Sequence, residues 1–283
     1  MAAGEGFDLS RGLGSRTTLS DGTSMPVLGL GVWKAASGRE TREAVATALS
    51  LGYRLIDTAA MYGNEADVGA AVRASGIPRD EIFVTTKVWN DDQGYEPTLR
   101  AFERSARALD LGTIDLYLVH WPVSGKRLET YRALEHLRKT GRCRSIGVAN
   151  FTVAHLAELG RAFPDPPSVD QVEFSPFLYQ RELLETCRAT GVQLEAWAPL
   201  TRGVKIDHPT LQAIAARHHR TAAQVLIRWG LQHGVVEIPK SVHAARLREN
   251  ADVFGFALSE SDVAKLDSLH EGYRTGWDPS ALR

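Results

Sequence analysis

Leu51-Gly-Tyr-Arg-Leu-Ile-Asp-Thr-Ala-Ala-Met-Tyr-Gly-Asn-Glu65 decides the fold. It reads as a short buried strand, residues 53–57, then a turn, then the start of a helix. That order sets an acid, Asp57, and a phenol, Tyr62, just past the C-terminal end of the strand. Three more strand-like runs end on a polar group. Phe83-Val-Thr-Thr-Lys87 ends on a lysine, Leu116-Tyr-Leu-Val-His120 on a histidine, and Ser145-Ile-Gly-Val-Ala-Asn150 on an asparagine. Polar groups at the C-terminal ends of successive strands converge only if those strands are parallel and ringed.

Outward from this stretch, strands and helices alternate. Strands are expected at 27–31, 53–57, 82–88, 114–120, 145–150, 169–174, 193–199 and 235–241. Helices are expected between them at 39–50, 65–75, 97–109, 128–140, 153–163, 180–190 and 210–232. Two more helices, 244–251 and 259–269, close the chain. The strands are apolar on both faces, as in parallel sheets covered on both sides. Repeated βα units point to an α/β fold, a (β/α)8 TIM barrel. A hairpin over residues 17–26, turning at Asp21-Gly22, precedes it. An open doubly wound sheet would carry a glycine-rich fingerprint after its first strand. Gly29-Leu-Gly31 lacks the third glycine and runs into Trp33.

The 283 residues suit one such barrel, typically about 250 residues long. A single domain over 1–283 is expected, with 1–16 as a loose leader and 270–283 as a C-terminal tail near the substrate pocket. The composition is 43% hydrophobic and 24% charged, with a formal net charge of -1. That balance gives no general case for nucleic-acid or membrane partners. No apolar run is long enough to span a membrane. Cys143 and Cys187 fit neither a metal spacing nor a disulfide framework, which suits a cytoplasmic protein.

In a barrel of this kind the C-terminal face carries the chemistry. A lysine ending a buried strand needs a partner, and Asp57 is the nearest acid. An ammonium beside Tyr62 lowers its pKa and makes it a usable general acid. His120 then supplies a hydrogen bond to a developing oxyanion. This combination suits carbonyl reduction, given a hydride source from an organic cofactor rather than a metal. Asn150 and Gln171, at further strand ends, suit a carboxamide, and Trp197 suits a flat ring. Lys240, Ser241 and Arg246 form an anion site at a strand end and helix N-terminus, with two cations for an extra phosphate.

These motifs resemble the aldo-keto reductase superfamily over about residues 17–274. The resemblance rests on Gly52-Tyr-Arg-Leu-Ile-Asp-Thr-Ala-Ala-Met-Tyr-Gly-Asn-Glu65, Leu118-Val-His-Trp-Pro122, Ile146-Gly-Val-Ala-Asn-Phe151, and Ile238-Pro-Lys-Ser241 with Arg246 and Glu249-Asn250. Ala196-Trp-Ala-Pro-Leu200 and the short tail Arg274-Thr-Gly-Trp-Asp-Pro279 are similar to prokaryotic members of the 2,5-diketo-D-gluconate reductase type. The resemblance implies NADPH-dependent reduction of aldehydes or ketones: dicarbonyls, keto sugars or aromatic aldehydes. Tyr62 would be the proton donor, tuned by Asp57 and Lys87, with His120 orienting the carbonyl. Asn150 and Gln171 would hold the carboxamide, and Trp197 would stack under the nicotinamide. Leu200 and Arg202 would lie near the pyrophosphate. Lys240, Ser241, Val242 and Arg246 would meet the 2'-phosphate side, and Glu249 and Asn250 the adenine. Trp33, Met61, Trp89, Trp121 and Trp277 would line the substrate pocket. The expected partner is a small carbonyl compound, with the protein a monomer. Val32, Ala149 and Asp170 depart from the commonest family pattern, which bears on cofactor affinity more than on reaction type. Two other readings stay open. One is a Schiff-base aldolase using Lys87; the other is an NADP(H)-binding sensor or subunit with little turnover.

Overall fold

The structure, a computed structural model, describes residues 7–281; residues 1–6 of the leader and 282–283 of the tail lie outside the described residues. The chain enters through an antiparallel hairpin of β1 (Arg16–Thr18) and β2 (Ser24–Pro26). Gly22 turns it with φ +86°, a conformation open to glycine at no steric cost. Asp21 steadies the turn by accepting from the Thr23 N–H at 3.0 Å. Its other carboxylate oxygen accepts from the Ser145 and Ser168 hydroxyls at 2.6 and 2.8 Å, which pins the hairpin to the barrel. In the described part of the leader, Phe7, Leu9 and Leu13 pack on the core.

Eight parallel strands follow in sequential order: β3 (Leu30–Gly31), β4 (Leu55–Asp57), β5 (Phe83–Val88), β6 (Ile114–Val119), β7 (Cys143–Ala149), β8 (Val169–Glu173), β9 (Gln193–Trp197) and β10 (Val236–Glu237). The first and last strands meet. Leu28 bridges Glu237 and Gly31 bridges Lys240, both in parallel. The Gly29 N–H donates to the Glu237 carbonyl at 2.8 Å, and the Glu237 N–H donates to the Val27 carbonyl at 3.0 Å. The sheet is closed, as the sequence led us to expect.

Helices α1 (Arg39–Ser50), α2 (Glu65–Ala74), α3 (Tyr95–Leu109), α4 (Arg127–Lys139), α5 (Val153–Ala162) and α6 (Arg181–Thr190) fill successive crossovers. The expected helix over 210–232 is two helices, α7 (Pro209–Arg217) and α8 (Ala222–Gln232). His219 takes φ +51° between them, and Thr221 restarts the helix with a capping box to Gln224. α9 (Ala244–Ala251) and α10 (Glu260–Asp267) complete the set. Among the described residues no helix is long and apolar enough to cross a membrane.

Strand alternation divides the core in two. Leu55, Phe83, Leu116, Leu118, Ala149, Val169 and Val236 face inward and pack with Leu19 and Met25 of the hairpin. Ile56, Val84, Tyr117, Val119, Val148, Val172 and Ala196 face outward and pack under the helices. Both faces are therefore apolar, and a period of two is invisible in the composition. Leu19 and Met25 close the N-terminal end of the barrel, where the inward Ser145 hydroxyl is taken up by Asp21, and the charged residues of inward register lie toward the C-terminal end. Counting two and four positions on from Leu55, Phe83, Leu116 and Val169 reaches, at the strands' C-terminal ends, Asp57, Lys87, His120, Gln171 and Glu173, and the β8–β9 register sets Glu195 and Trp197 opposite Gln171 and Glu173.

Candidate active site

Lys87 is fully buried, and its environment supplies what an ammonium needs. Its Nζ donates to Asp57 Oδ1 and Oδ2, both at 2.7 Å, and to the Thr58 carbonyl at 2.9 Å. A longer contact of 3.5 Å reaches the Tyr62 hydroxyl. Burial works against the ammonium, but Asp57, Tyr62 and Glu195 together carry the Lys87 pKa above the ordinary lysine value. Burial also raises the Asp57 carboxyl, against the opposing pull of Lys87 and Gln171.

The 3₁₀ turn Ala60–Tyr62 follows β4 and brings the phenol back over this pair. Burial pushes the Tyr62 phenol up to about 12; Lys87 opposes the shift and Asp57 adds to it. The expectation from sequence was a lowered pKa. Desolvation wins because the Lys87 charge is already spent on Asp57, at 2.7 Å against 3.5 Å for the phenol. Tyr62 therefore stays protonated across the neutral range.

His120 follows β6 directly, and its N–H donates to the Val88 carbonyl at 3.2 Å. Its ring meets the Tyr62 ring edge-on at 5.7 Å and the Trp89 ring at 5.1 Å. Burial first, and then the Lys87 charge, hold its pKa well below the ordinary histidine value, so the imidazole is neutral at pH 7. Its Nδ1 has no partner among the described residues.

Asn150 adopts φ +63°, which asparagine tolerates better than most side chains. Its Nδ2 donates to the His120 carbonyl at 2.9 Å, and its Oδ1 accepts from the Trp197 indole at 2.9 Å. One asparagine thus ties the histidine strand to the Trp197 ring. Gln171 lies deeper. Its Nε2 donates to Asp57 Oδ2 at 2.7 Å and to Glu195 Oε2 at 2.9 Å. Burial, with Asp57 adding to it, pushes the Glu195 carboxyl up to about 8.

The rim is aromatic. Trp121 is buried and lies 5.4 Å from the Trp277 ring of the tail. Trp277 and Met61 are 62% and 42% exposed, large apolar side chains left uncovered at one mouth. The Arg202 guanidinium stands 4.4 Å over Trp33. Leu200, before it, is half-buried against the core. Lys240 is exposed just past β10, Ser241 is buried beside it, and Val242 packs on the core. Arg246 is exposed in the first turn of α9. Among the described residues neither Lys240 nor Arg246 has an acidic partner within 4.0 Å. Glu249 accepts from the Thr221 hydroxyl at 2.6 Å, and Asn250 is buried at 3% exposure.

The Aldo/keto reductase family profile matches residues 27–205 and 207–271. The chain belongs to that family. Among its relatives is the glyoxal reductase of Bacillus subtilis (strain 168), 51% identical over 264 residues, 93% of this chain and 96% of that protein. The 9,11-endoperoxide prostaglandin H2 reductase of Trypanosoma cruzi (strain CL Brener) is 48% identical over 93% of this chain and 94% of its own length. A crystal structure of a Gox0644 mutant in complex with NADPH superposes with a TM-score of 0.90 at 44% identity, covering 95% of this chain and 98% of that one.

Two contributors to this aldo-keto reductase's site escaped the sequence. The Thr58 carbonyl is one, because backbone groups carry no sequence signal. Glu195 is the other. It stands in inward register opposite Gln171, and counting by twos along Gln193-Leu-Glu-Ala-Trp197 would have found it.

Proposed function

We propose that this reductase uses NADPH to reduce small aldehydes and ketones, working as one barrel domain with Tyr62 as the proton donor. The observation that carries the reading is the buried Asp57–Lys87 pair at 2.7 Å beneath a phenol and a neutral imidazole. Bound NADPH would supply the hydride. His120 donates a hydrogen bond to the carbonyl oxygen and fixes its position. Tyr62 passes its proton to that oxygen as the carbon becomes an alcohol. An alkoxide is a stronger base than a phenolate, so a phenol with a raised pKa still gives up its proton at this step. Lys87 and Asp57 then hold the phenolate in a neutralised surrounding until it is reprotonated.

The cofactor fits what the residues offer. Lys240, Arg246 and the amide end of α9 make an unneutralised anion site for a 2'-phosphate, with Ser241 and Val242 beside it. No hydrogen bond is made to Gln171 Oε1 among the described residues, which leaves it as an acceptor for a carboxamide N–H. Asn150 orients the Trp197 ring for stacking. Leu200 and Arg202 border the pyrophosphate path, and Glu249 and Asn250 the adenine end. Trp33, Met61, Trp89, Trp121 and Trp277 would wall the substrate side. The similarity to a glyoxal reductase favours small dicarbonyls among the substrates. Lys87 already spends its protons on Asp57 and Thr58, which argues against it as a Schiff-base nucleophile.

The test is NADPH oxidation with glyoxal and a panel of aldehydes, run beside Tyr62→Phe. General acid catalysis is worth about 10²–10⁴-fold. A loss of that size in kcat with NADPH binding retained supports the role; unchanged turnover would refute it. Arg246→Ala is expected to weaken NADPH more than NADH, and an unaltered cofactor preference in kcat/KM would remove the phosphate assignment.

A further inference from the structure

Glu173 is the last residue of β8, 4% exposed, and forms no ion pair among the described residues. Its carboxylate is satisfied by the C-terminal tail instead. Oε1 accepts from the Thr275 N–H at 2.6 Å and the Thr275 hydroxyl at 2.5 Å, and Oε2 accepts from the Gly276 N–H at 3.2 Å. Three hydrogen bonds on one buried carboxyl group tie this strand end to the tail. The tail is first laid alongside the loop after β8, where the Glu271 and Tyr273 N–H groups donate to the Phe177 carbonyl at 3.2 and 3.1 Å.

Two consequences follow at the mouth. Gly276 is pressed on the Trp197 ring so closely that a Cβ there would lie 2.5 Å from its outer edge. Any side chain at 276 would therefore displace the ring or the tail. The next residue, Trp277, is brought 5.4 Å from Trp121 at a 45° tilt, yet is still 62% exposed. An exposed indole held by its neighbours' backbone stands ready for a flat apolar partner.

We propose that Glu173 is a specificity-determining positioning residue. Its carboxylate anchors Thr275 and Gly276 so that Trp277 forms, with Trp121, a wall for aromatic carbonyl substrates. This rests on the carbonyl-reductase reading above. Small dicarbonyls, which need no such wall, are reduced without it.

The test compares full-length Glu173→Ala, Glu173→Gln and Thr275→Val with the native chain by two readouts. Trypsin cleavage after Arg274 reports anchoring without any need for activity. Loss of these bonds is expected to speed it about tenfold or more in Glu173→Ala, and less in Glu173→Gln, which keeps one acceptor. KM for an aromatic aldehyde is expected to rise by about two- to tenfold while kcat with glyoxal stays put. If Glu173→Ala fails to fold, Thr275→Val tests the anchor from the tail side: it removes the hydroxyl bond and keeps both backbone bonds, so a smaller rise in cleavage is expected. Unchanged cleavage in the variants overturns the anchor. Faster cleavage with an unchanged KM for the aromatic aldehyde overturns the specificity role. Should the native chain reduce no carbonyl, the reductase reading falls and the specificity proposal with it, while the cleavage result still reports whether Glu173 holds the tail.

Discussion

At the scale of single residues, the molecule turns on one buried ion pair. Lys87 and Asp57 are 0% and 3% exposed in their side chains, so neither is tolerated alone. Removing one partner from a buried pair costs about 3–5 kcal/mol, because the other charge is left without compensation. Lys87→Met is therefore expected to lose stability as well as turnover. Combining it with Asp57→Asn removes the stranded carboxylate, and most of the lost stability should return while turnover stays absent. Thermal melts of the two single variants and the double variant check this, and simple additivity of the losses would count against it. The polar strand ends Asp57, Lys87, His120 and Asn150 were legible in sequence because a charged or polar residue closing an apolar run is conspicuous. The direction of the Tyr62 pKa was not, since it depends on how much of the Lys87 charge is already matched by Asp57. The alternation along Gln193–Trp197 turns Glu195 inward, but its bond to Gln171, 24 residues away in the chain, has no local signal.

At the scale of elements, strand order and barrel closure were readable from βα alternation, and boundaries were less so. The first and last strands were expected over 27–31 and 235–241, but the regular ladder covers only Leu30–Gly31 and Val236–Glu237. They lie at the seam, where pairing is made by isolated bridges and by the Gly29 N–H rather than a full ladder. The merged helix over 210–232 shows a signal that was present but unused. Thr221-x-x-Gln224 is a capping box, and its two halves both form: the Thr221 hydroxyl accepts from the Gln224 N–H at 3.2 Å, and the Gln224 side chain accepts from the Thr221 N–H at 2.9 Å. Thr221 also donates to Glu249, joining α8 to α9. Thr221→Ala is expected to cost about 1 kcal/mol or slightly more. A denaturant melt checks it. Turnover at saturating cofactor should be unaffected, since the cap bonds only Gln224 and Glu249 and none of Asp57, Tyr62, Lys87 and His120.

At the scale of the whole molecule, the fold buries more carboxyl groups than its interior cations can match. Asp170 lies in the outward register of β8, with one oxygen accepting from the Phe151 N–H at 3.3 Å and the other without a partner among the described residues. Burial pushes its pKa well above the ordinary carboxylate value, with only that backbone bond opposing. Burial does the same to Glu237, with Glu195 adding to the shift, and carries Glu195 itself to about 8. The sign follows from proton counting. A carboxyl whose pKa is raised on folding holds its proton where the unfolded chain has lost it. Its contribution is fully present below the unfolded pKa of about 4 and is lost as pH rises toward the folded value. His120, His155 and His233 have the opposite sign. Burial lowers each, so their contribution is complete above the unfolded histidine pKa of about 6.5 and is lost as pH falls. Stability is thus squeezed from both sides, and Tm should fall on the alkaline side well before any lysine titrates. Asp170→Asn isolates one of these groups. The amide oxygen keeps the bond from Phe151, and no ionisation remains. We expect the variant to melt higher than the native protein, by a margin that widens between pH 6 and pH 9 and reaches about 1–3 kcal/mol at the upper end. A margin that stays constant with pH would mean that Asp170 does not hold a proton at neutral pH, and that the interior tolerates its charge by a route other than protonation.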